Sequence, residues 1–362
     1  MKEVTSMLNK SYIKLIERLT SAPGAPGFEE EVTKIAATYV KENGFAETRE
    51  NSIRNLYLTR HGNTGKKPML MLDAHGDEVG FMVKSIRPDG TLQVLELGGI
   101  SRQKIQGSRV KVRIASGEYI PGVIASIPPH FISESANTEI VIDIGARSKE
   151  DAIRNFGVRI GEPAVPDTPY YYNEKNNLVM AKALDCRIGC AALIAVMEIL
   201  AGEELPVDII GAITAQEEIG DRGALIAAQV IKPDVAIVFE GAPADDTFVP
   251  EDAIQTALGR GPMLRHYDTS MVSNPRFTSF AIDTAIDQGI PVQESVRSGG
   301  GTNGGCIHTY GDGVPTIVVS VPVRYVHSPC GISSYSDFCS TVELTAAIIR
   351  SLSREIVAGF HG

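Results

Sequence analysis

The segment VDIIGAITAQEE, residues 207–218, decides the fold of this chain. Residues 207–214 are mostly apolar and have the length of a buried strand, and two adjacent glutamates, Glu217 and Glu218, follow its end. Helical spacing of apolar residues precedes the segment at Arg187–Ala201 and follows it at Arg222–Val230. This alternation of strand and helix predicts an α/β fold with a mostly parallel sheet and flanking helices.

Further apolar runs extend the pattern over most of the chain. Residues 1–19 and 29–44 predict two helices that a Pro/Gly turn separates. We therefore assign residues 1–77 and 178–362 to one α/β domain. The other predicted strands of its sheet are Asn55–Thr59, Pro68–Asp73, Pro233–Glu240 and Val314–Val321, and the other predicted helices are Phe277–Gln288 and Tyr335–Ile356.

Between these two parts the sequence pattern changes. From residue 81 to 144, short β-type runs follow one another, and turn signals such as Pro88–Gly90 and Ser116–Gly117 separate them. One helix signal interrupts the runs, because Ser148 and Asp151 have the spacing of a capping box. Regular short strands without a long helix predict a small β-barrel, inserted as a second domain at residues 78–177.

Charge and composition exclude several classes of function. Lys and Arg number 34 against 44 Asp and Glu, so the formal net charge is −10, which argues against a nucleic-acid or anionic-membrane partner. No apolar run is long enough to span a bilayer, and the first residues lack the pattern of a signal peptide. The five cysteines are odd in number and form no Cys-x-x-Cys pair, so we predict a reducing, cytoplasmic location.

Side chains that bind metals stand where the predicted strands end. Ligands of open α/β sheets bind beyond the carboxyl ends of the strands, so these side chains should share one crevice. Buried carboxylates without partners are unfavourable, and a pair of divalent cations would supply the partners. The sequence therefore predicts a two-metal site. The side chains are His75 and Asp77, Glu217 and Glu218, Glu240, His327, and Asp185 just before a helix.

The spacing within two of these groups has a mechanical reason. His75 offers one ring nitrogen to a metal, and Asp77, two residues later on the same side of an extended chain, is placed to accept a hydrogen bond from the other nitrogen. Glu217 and Glu218 are consecutive, so their carboxylates point in different directions. One can bind a metal while the other reaches the attacking water, which is the arrangement that metal-assisted hydrolysis requires.

Four motifs carry a resemblance to a known family. They are AHGDEVGFM (74–82), KALDCRIGC (182–190), AQEEIGDRGA (215–224) and VRYVHSP (323–329), and PGVI (121–124) followed by PPH (128–130) adds to them. In this order they resemble the dinuclear-metal aminopeptidases that assemble into hollow tetrahedral dodecamers, whose relatives include glutamyl aminopeptidases. The similarity extends over nearly the whole chain.

The resemblance implies a function and a role for each residue. The chain would remove N-terminal residues from short peptides, and two divalent ions per subunit would activate a water, with zinc or cobalt expected first and manganese as the alternative. The inserted domain would form a dimer, and dimers would build a homo-oligomer of up to twelve subunits. His75 and Glu240 would hold one metal, Glu218 and His327 the other, Asp185 would bridge them, Glu217 would be the general base, and Asp77 would orient His75.

This chain departs from the family pattern at two positions. Cys186 stands where the family often has Asp or Asn, and we expect it to pack as a small buried residue, although a soft thiol that reached the site would alter metal preference. Glu240 stands where many members have Asp. The longer side chain keeps the type of ligand, so activity should survive.

Two other functions stay open from the residues alone. A glycosidase could use the Glu217/Glu218 pair, although adjacent carboxylates do not naturally face each other across a glycosidic bond, and the histidines would then have no role. The chain could also be a non-catalytic oligomeric protein on the same fold. The Gly-rich loop Gly299–Gly305 is expected either near substrate or as a tight turn, and His130 is expected as a turn residue.

Overall fold

The computed structural model describes residues 12–102, 104–127 and 139–362. The described strands, in chain order, are β1 (Ala46–Glu50), β2 (Leu56–Arg60), β3 (Met69–His75), β4 (Gly80–Ile86), β5 (Leu92–Leu97), β6 (Arg109–Arg113), β7 (Tyr119–Ile124), β8 (Ile140–Asp143), β9 (Pro163–Pro166), β10 (Tyr171–Asn173), β11 (Leu178–Ala181), β12 (Asp208–Thr214), β13 (Val235–Pro243), β14 (Met263–Tyr267), β15 (Gln293–Val296), β16 (Thr316–Arg324) and β17 (Gly331–Ser334). The described α-helices are α1 (Ile13–Ser21), α2 (Glu30–Asn43), α3 (Lys149–Arg154), α4 (Leu184–Ile199), α5 (Arg222–Ile231), α6 (Pro275–Gln288), α7 (Gly304–Ile307), α8 (Tyr335–Ser351) and α9 (Arg354–Phe360).

An 11-stranded sheet forms the larger part of the molecule. Its centre is parallel, with β12, β3, β13 and β16 side by side in that order. Its margins are antiparallel: β1 and β2 lie at one side, and β17, β11 and β10 at the other. The predicted α/β fold is confirmed. The sheet is mixed because short connections join the marginal strands as hairpins, whereas parallel strands need longer crossovers.

The register of the parallel strands brings the chemically important residues to one edge. His75, the last residue of β3, lies opposite Thr214, the last residue of β12. Glu240 of β13 lies opposite Ser320 of β16. The residues that follow these strand ends, Asp77 among them, therefore start from neighbouring positions.

Helix α4 forms the centre of the main hydrophobic core. Residues 186–197 are all buried, because the helix packs against β3 and β13 on one side and against α8 on the other. A helix that is apolar all round is stable only when it is buried on every side. This burial fixes the start of α4, where Asp185 lies, against the end of β13.

The predicted β-barrel is confirmed. Strands β4–β9 close into a barrel of six strands, in the order β4-β5-β8-β7-β6-β9. Its interior has its own core, in which Phe81, Leu92, Val112 and Ile142 are fully buried. The barrel begins at Gly80, and its last strand ends at Pro166. The next strand, β10, pairs with β11 and so belongs to the large sheet.

One local prediction differs from the structure. The single helix predicted over Tyr335–Ile356 is wrong, because α8 ends at Ser351 and α9 begins at Arg354. The side chain of Ser353 accepts a hydrogen bond from the backbone N–H of Ile356 and so starts a new helix. No helix in the described part of the chain is long and apolar enough to cross a membrane.

Candidate metal centre

The predicted site residues line one cavity of about 990 Å³ at the carboxyl edge of the parallel strands. His75 lies at the end of β3, Glu240 lies within β13, and the other residues lie on the connections and on the first turn of α4. The site residues that line the cavity are His75, Asp185, Glu217, Glu218, Glu240 and His327. Asp77 is fully buried directly behind them.

Asp185 stands between the two histidines. Its Oδ1 lies 3.2 Å from Nε2 of His75, and its Oδ2 lies 3.5 Å from Nε2 of His327. Each carboxylate oxygen therefore faces a different imidazole. The peptide bond from Asp185 to Cys186 is cis.

One half of the site combines His75, Asp185 and Glu240. Oε2 of Glu240 lies 3.7 Å from Nε2 of His75, and the ligand atoms of these three residues all lie within 4.8 Å of one another. The thiol of Cys186 belongs to the same group. It is fully buried and donates a hydrogen bond to the backbone oxygen of Phe239 at 3.2 Å, so Cys186 packs in the core beneath the site.

The other half combines Asp185, Glu218 and His327. Oε2 of Glu218 lies 3.4 Å from Nε2 of His327, and this group of ligand atoms also lies within 4.8 Å. Each half thus contains one imidazole, one carboxylate of its own and a share of Asp185. Such sets of nitrogen and oxygen donors suit zinc and related divalent ions.

Asp77 holds the backbone that carries the two glutamates. Its Oδ1 and Oδ2 accept hydrogen bonds from the backbone N–H groups of Glu217 and Glu218, each at 3.0 Å. Its Oδ1 also lies 3.5 Å from Nδ1 of His75. One buried carboxylate therefore holds the backbone of two consecutive residues of the site and lies beside the imidazole of a third.

Burial and the two imidazoles shift the pKa values of the site carboxylates in opposite directions. Burial raises the pKa of Glu218 to about 8 and raises those of Glu217 and Glu240 as well, although the imidazoles oppose this shift. Burial by itself would lower the pKa of His327, but the combined effect of Asp185 and Glu218 is larger and raises this pKa to about 9. Burial would raise the pKa of the Asp185 carboxyl, but the imidazoles of His327 and His75 together hold it below its usual value. The cluster of carboxylates needs more positive charge than two imidazoles supply.

The comparisons with known proteins agree with this geometry. Residues 54–344 match the family described as M42 glutamyl aminopeptidase. The chain belongs to this family. The glutamyl aminopeptidase of Lactococcus lactis subsp. cremoris is 32% identical over 350 residues, which cover 95% of this chain and 97% of that protein.

Solved structures of other peptidases share the fold. A TET aminopeptidase from the marine sediment archaeon Thaumarchaeota archaeon SCGC AB-539-E09 is 37% identical, with a TM-score of 0.91 over 97% of this chain and 100% of that chain. The TET1 peptidase of Pyrococcus horikoshii is 30% identical, with a TM-score of 0.82 over 94% of this chain and 100% of that chain. That peptidase is described as able to assemble into a tetrahedron or a large octahedral shell.

Family membership identifies the chain as a peptide hydrolase of the aminopeptidase type. It favours the predicted aminopeptidase over the glycosidase and the non-catalytic protein that the residues alone left open. The metal roles of the individual residues stay predictions.

Several wall residues of this M42 peptidase were not predicted from the sequence. Arg265 lies on β14 and Arg297 directly follows β15. Both strands are short, 5 and 4 residues, and their apolar positions are too few to show a period. The missed wall residues include Lys104, Asp221, Thr247, Phe248, Arg265, Arg297 and Tyr325.

The remaining candidates of the sequence analysis lie in different places. Gly299, Gly300 and Gly301 line the cavity, which agrees with a loop close to substrate. His130 lies outside the described residues.

Proposed function

We propose that this M42 peptidase is a two-metal aminopeptidase that removes single N-terminal residues from short peptides. His75 and Glu240 would hold one divalent cation, Glu218 and His327 the other, and Asp185 would bridge them. The observation that carries the proposal is the position of Asp185, because its two oxygens face two different imidazoles at 3.2 and 3.5 Å. A carboxylate shared in this way is the natural bridge of a two-metal site.

The residues present fit a pair of cations. Oε1 of Glu240 is buried without a hydrogen-bond partner among the described residues, which is unfavourable unless a cation lies nearby. Burial raises the pKa of Glu217, Glu218 and Glu240, and a nearby cation would favour the ionised form of each carboxyl. When bound, the cations would polarise the scissile carbonyl and lower the pKa of the attacking water from 15.7 to about 7.

Glu217 is the residue that this proposal assigns to proton transfer. Its side chain lines the cavity and lies 3.9 Å from Nε2 of His75. Its backbone N–H is fixed by Asp77, which limits where the carboxylate can point. Glu217 would accept a proton from the water and donate it to the leaving amine, acting first as general base and then as general acid.

We also propose that the segment 78–177 forms contacts between subunits and that residues 1–77 and 178–362 make up the catalytic domain. The barrel supports this division because it has a closed set of strands and a core of its own. The tetrahedron and octahedral shell described for TET1 support an assembly built from many copies. Light scattering of the purified protein tests the proposal, and a strict monomer at micromolar concentration would refute it.

The central test measures amino-acid release from short peptides before and after metal removal. We expect a chelator to abolish the release and added zinc, cobalt or manganese to restore it. An N-acetylated copy of the same peptide should be cleaved far more slowly, since the free amine would fix the first residue near the metals. Turnover that survives complete metal removal, or equal cleavage of the acetylated peptide, would contradict the proposed mechanism.

A further inference from the structure

The active-site cavity continues past His327 into a second space. This second space, here called the outer lobe, has a volume of about 570 Å³ and shares Gly99, Lys104 and His327 with the wall of the main cavity. Away from the metal centre, its walls are formed by the barrel residue Ser101 and by the loop after β16. The loop residues that line the outer lobe are Ser328, Pro329 and Cys330.

A turn of the barrel segment carries Lys104 to the junction of the two spaces. Gly99 lies so close to His327 that a Cβ placed on it would stand 3.4 Å from Nδ1 of the imidazole. The backbone N–H of Lys104 donates to the backbone oxygen of Ser101 at 3.0 Å. Lys104 lines both spaces together with Gly99 and His327, one of the proposed metal ligands.

Lys104 differs in charge balance from the other cations of the wall. Arg265 is neutralised by Asp268 at 2.9 Å, and Arg297 by Asp245 at 2.8 Å. Lys104 is exposed and has no ion-pair partner in residues 12–102, 104–127 and 139–362. Its ammonium is thus available to an anionic group that enters the outer lobe.

We propose that Lys104 binds the C-terminal carboxylate of short peptide substrates. The inference rests on the proposed function and names the substrate class, which is di- and tripeptides with a free carboxylate. A peptide whose N-terminal residue lies at the metal centre must direct the rest of its chain out of the cavity. The amino terminus would be repelled by an ammonium, whereas the carboxylate at the other end would be attracted to it.

The test compares substrates that differ only in the terminal group. One pair is a dipeptide X-Gly and its C-terminal amide, where X is the N-terminal residue that the enzyme hydrolyses fastest. A second pair, X-Glu-amide and X-Gln-amide, tests whether an acidic side chain supplies the carboxylate instead. The enzymes are the full-length wild type, Lys104→Met, Lys104→Arg and the control Lys84→Met. Lys84 is an exposed barrel lysine that lines neither space.

Wild type should prefer X-Gly over its amide in kcat/KM by about 1.5-fold to fivefold, since an exposed ion pair contributes little in water. The preference should appear in KM and should weaken as salt is added. Lys104→Met should remove the preference, so that X-Gly and its amide are hydrolysed with equal kcat/KM, whereas Lys104→Arg and Lys84→Met should keep it.

Two outcomes would overturn the inference alone. One is equal kcat/KM for acid and amide in wild type, and the other is a preference that Lys104→Met leaves intact. Wild type could also prefer X-Glu-amide over X-Gln-amide but show no preference for X-Gly over its amide. The recognised carboxylate would then belong to a side chain, which would refute the C-terminal assignment. Failure of the proposed function looks different, because no N-terminal residue would then be released from any of the four substrates by wild type.

Discussion

The carboxylate of Glu29 accepts a hydrogen bond from the backbone N–H of Gln216 at 3.1 Å. The same oxygen accepts the N–H of Gly27 at 2.8 Å, and Glu29 is only 1% exposed. Asp77 accepts the next two N–H groups of the chain, those of Glu217 and Glu218. Two buried carboxylates from distant segments therefore hold three consecutive residues, of which the second is the proposed base.

Replacing Glu29 by Ala should lower kcat with little change in KM. Removal of the carboxyl leaves the N–H of Gln216 unpaired, so the backbone before Glu217 becomes free to shift. We expect kcat to fall about tenfold, which is the effect of one lost hydrogen bond at a buried site. Glu29→Gln keeps the accepting oxygen and should restore most of the rate. Steady-state kinetics and metal analysis check this. Equal losses in Ala and Gln variants, or loss of metal from the Ala variant, would contradict a positioning role.

Glu29 should also make the stability of the protein depend on pH. Burial, with the nearby Asp77, raises its pKa from 4.5 to about 8 in the folded state. Below pH 4.5 the carboxyl is protonated in both folded and unfolded chains, so its contribution to stability is fully present and does not change with pH. Between pH 4.5 and 8 the folded state binds more protons than the unfolded state, so stability falls as pH rises, by about 1.4 kcal/mol for each unit of pKa difference.

Glu29→Gln removes this titration. The thermal midpoint of the variant, relative to that of wild type, should therefore increase between pH 5 and pH 8. Calorimetry of both proteins at matched ionic strength measures the difference. Midpoints that change in parallel over this range would show that Glu29 is ionised in the folded state throughout.

Asp77→Asn should weaken both metal binding and turnover. An amide side chain retains one accepting oxygen, but its NH₂ group would face a backbone N–H or the ring of His75. Replacement of a group that orients a metal ligand typically lowers metal affinity by about 10–100-fold. Equilibrium dialysis with zinc, followed by metal analysis, measures the change. Wild-type affinity in a folded variant would show that Asp77 does not act on the metal ligands.

Part of this site follows from the sequence because its residues stand next to strong local signals. His75, Glu218 and Glu240 lie at or just beyond the ends of apolar runs, and parallel strands bring such ends together. Glu29 lies 187 residues before its partner Gln216, and nothing in the local pattern distinguishes it from the acidic residues that follow it in α2. The contact between Glu29 and Gln216 becomes apparent only in the folded structure.

The same limit applies to the walls of the cavity. Arg265 lies on β14, and Arg297 directly follows β15. These two short strands form a parallel pair, and β14 also pairs with β16 in antiparallel fashion. Lys104 lies on the connection between the barrel strands β5 and β6. The sequence thus predicts the central ligands from periodicity, while the groups that shape substrate binding depend on how the barrel and the strand pair dock onto the sheet.

Glu217→Gln is the sharpest test of the proposed catalytic step. The substitution keeps the size of the side chain and leaves the backbone N–H that Asp77 holds, but it removes the group that would accept a proton. General acid–base help is typically worth about 10²–10⁴-fold, so kcat should fall by that amount while metal content and thermal midpoint stay near wild type. Glu218→Gln is the matched control: it changes the adjacent residue, whose carboxylate faces His327, and should reduce metal content as well as rate. If Glu217→Gln retained full activity, or if it lost metal as Glu218→Gln does, the roles proposed for the two neighbouring glutamates would be wrong.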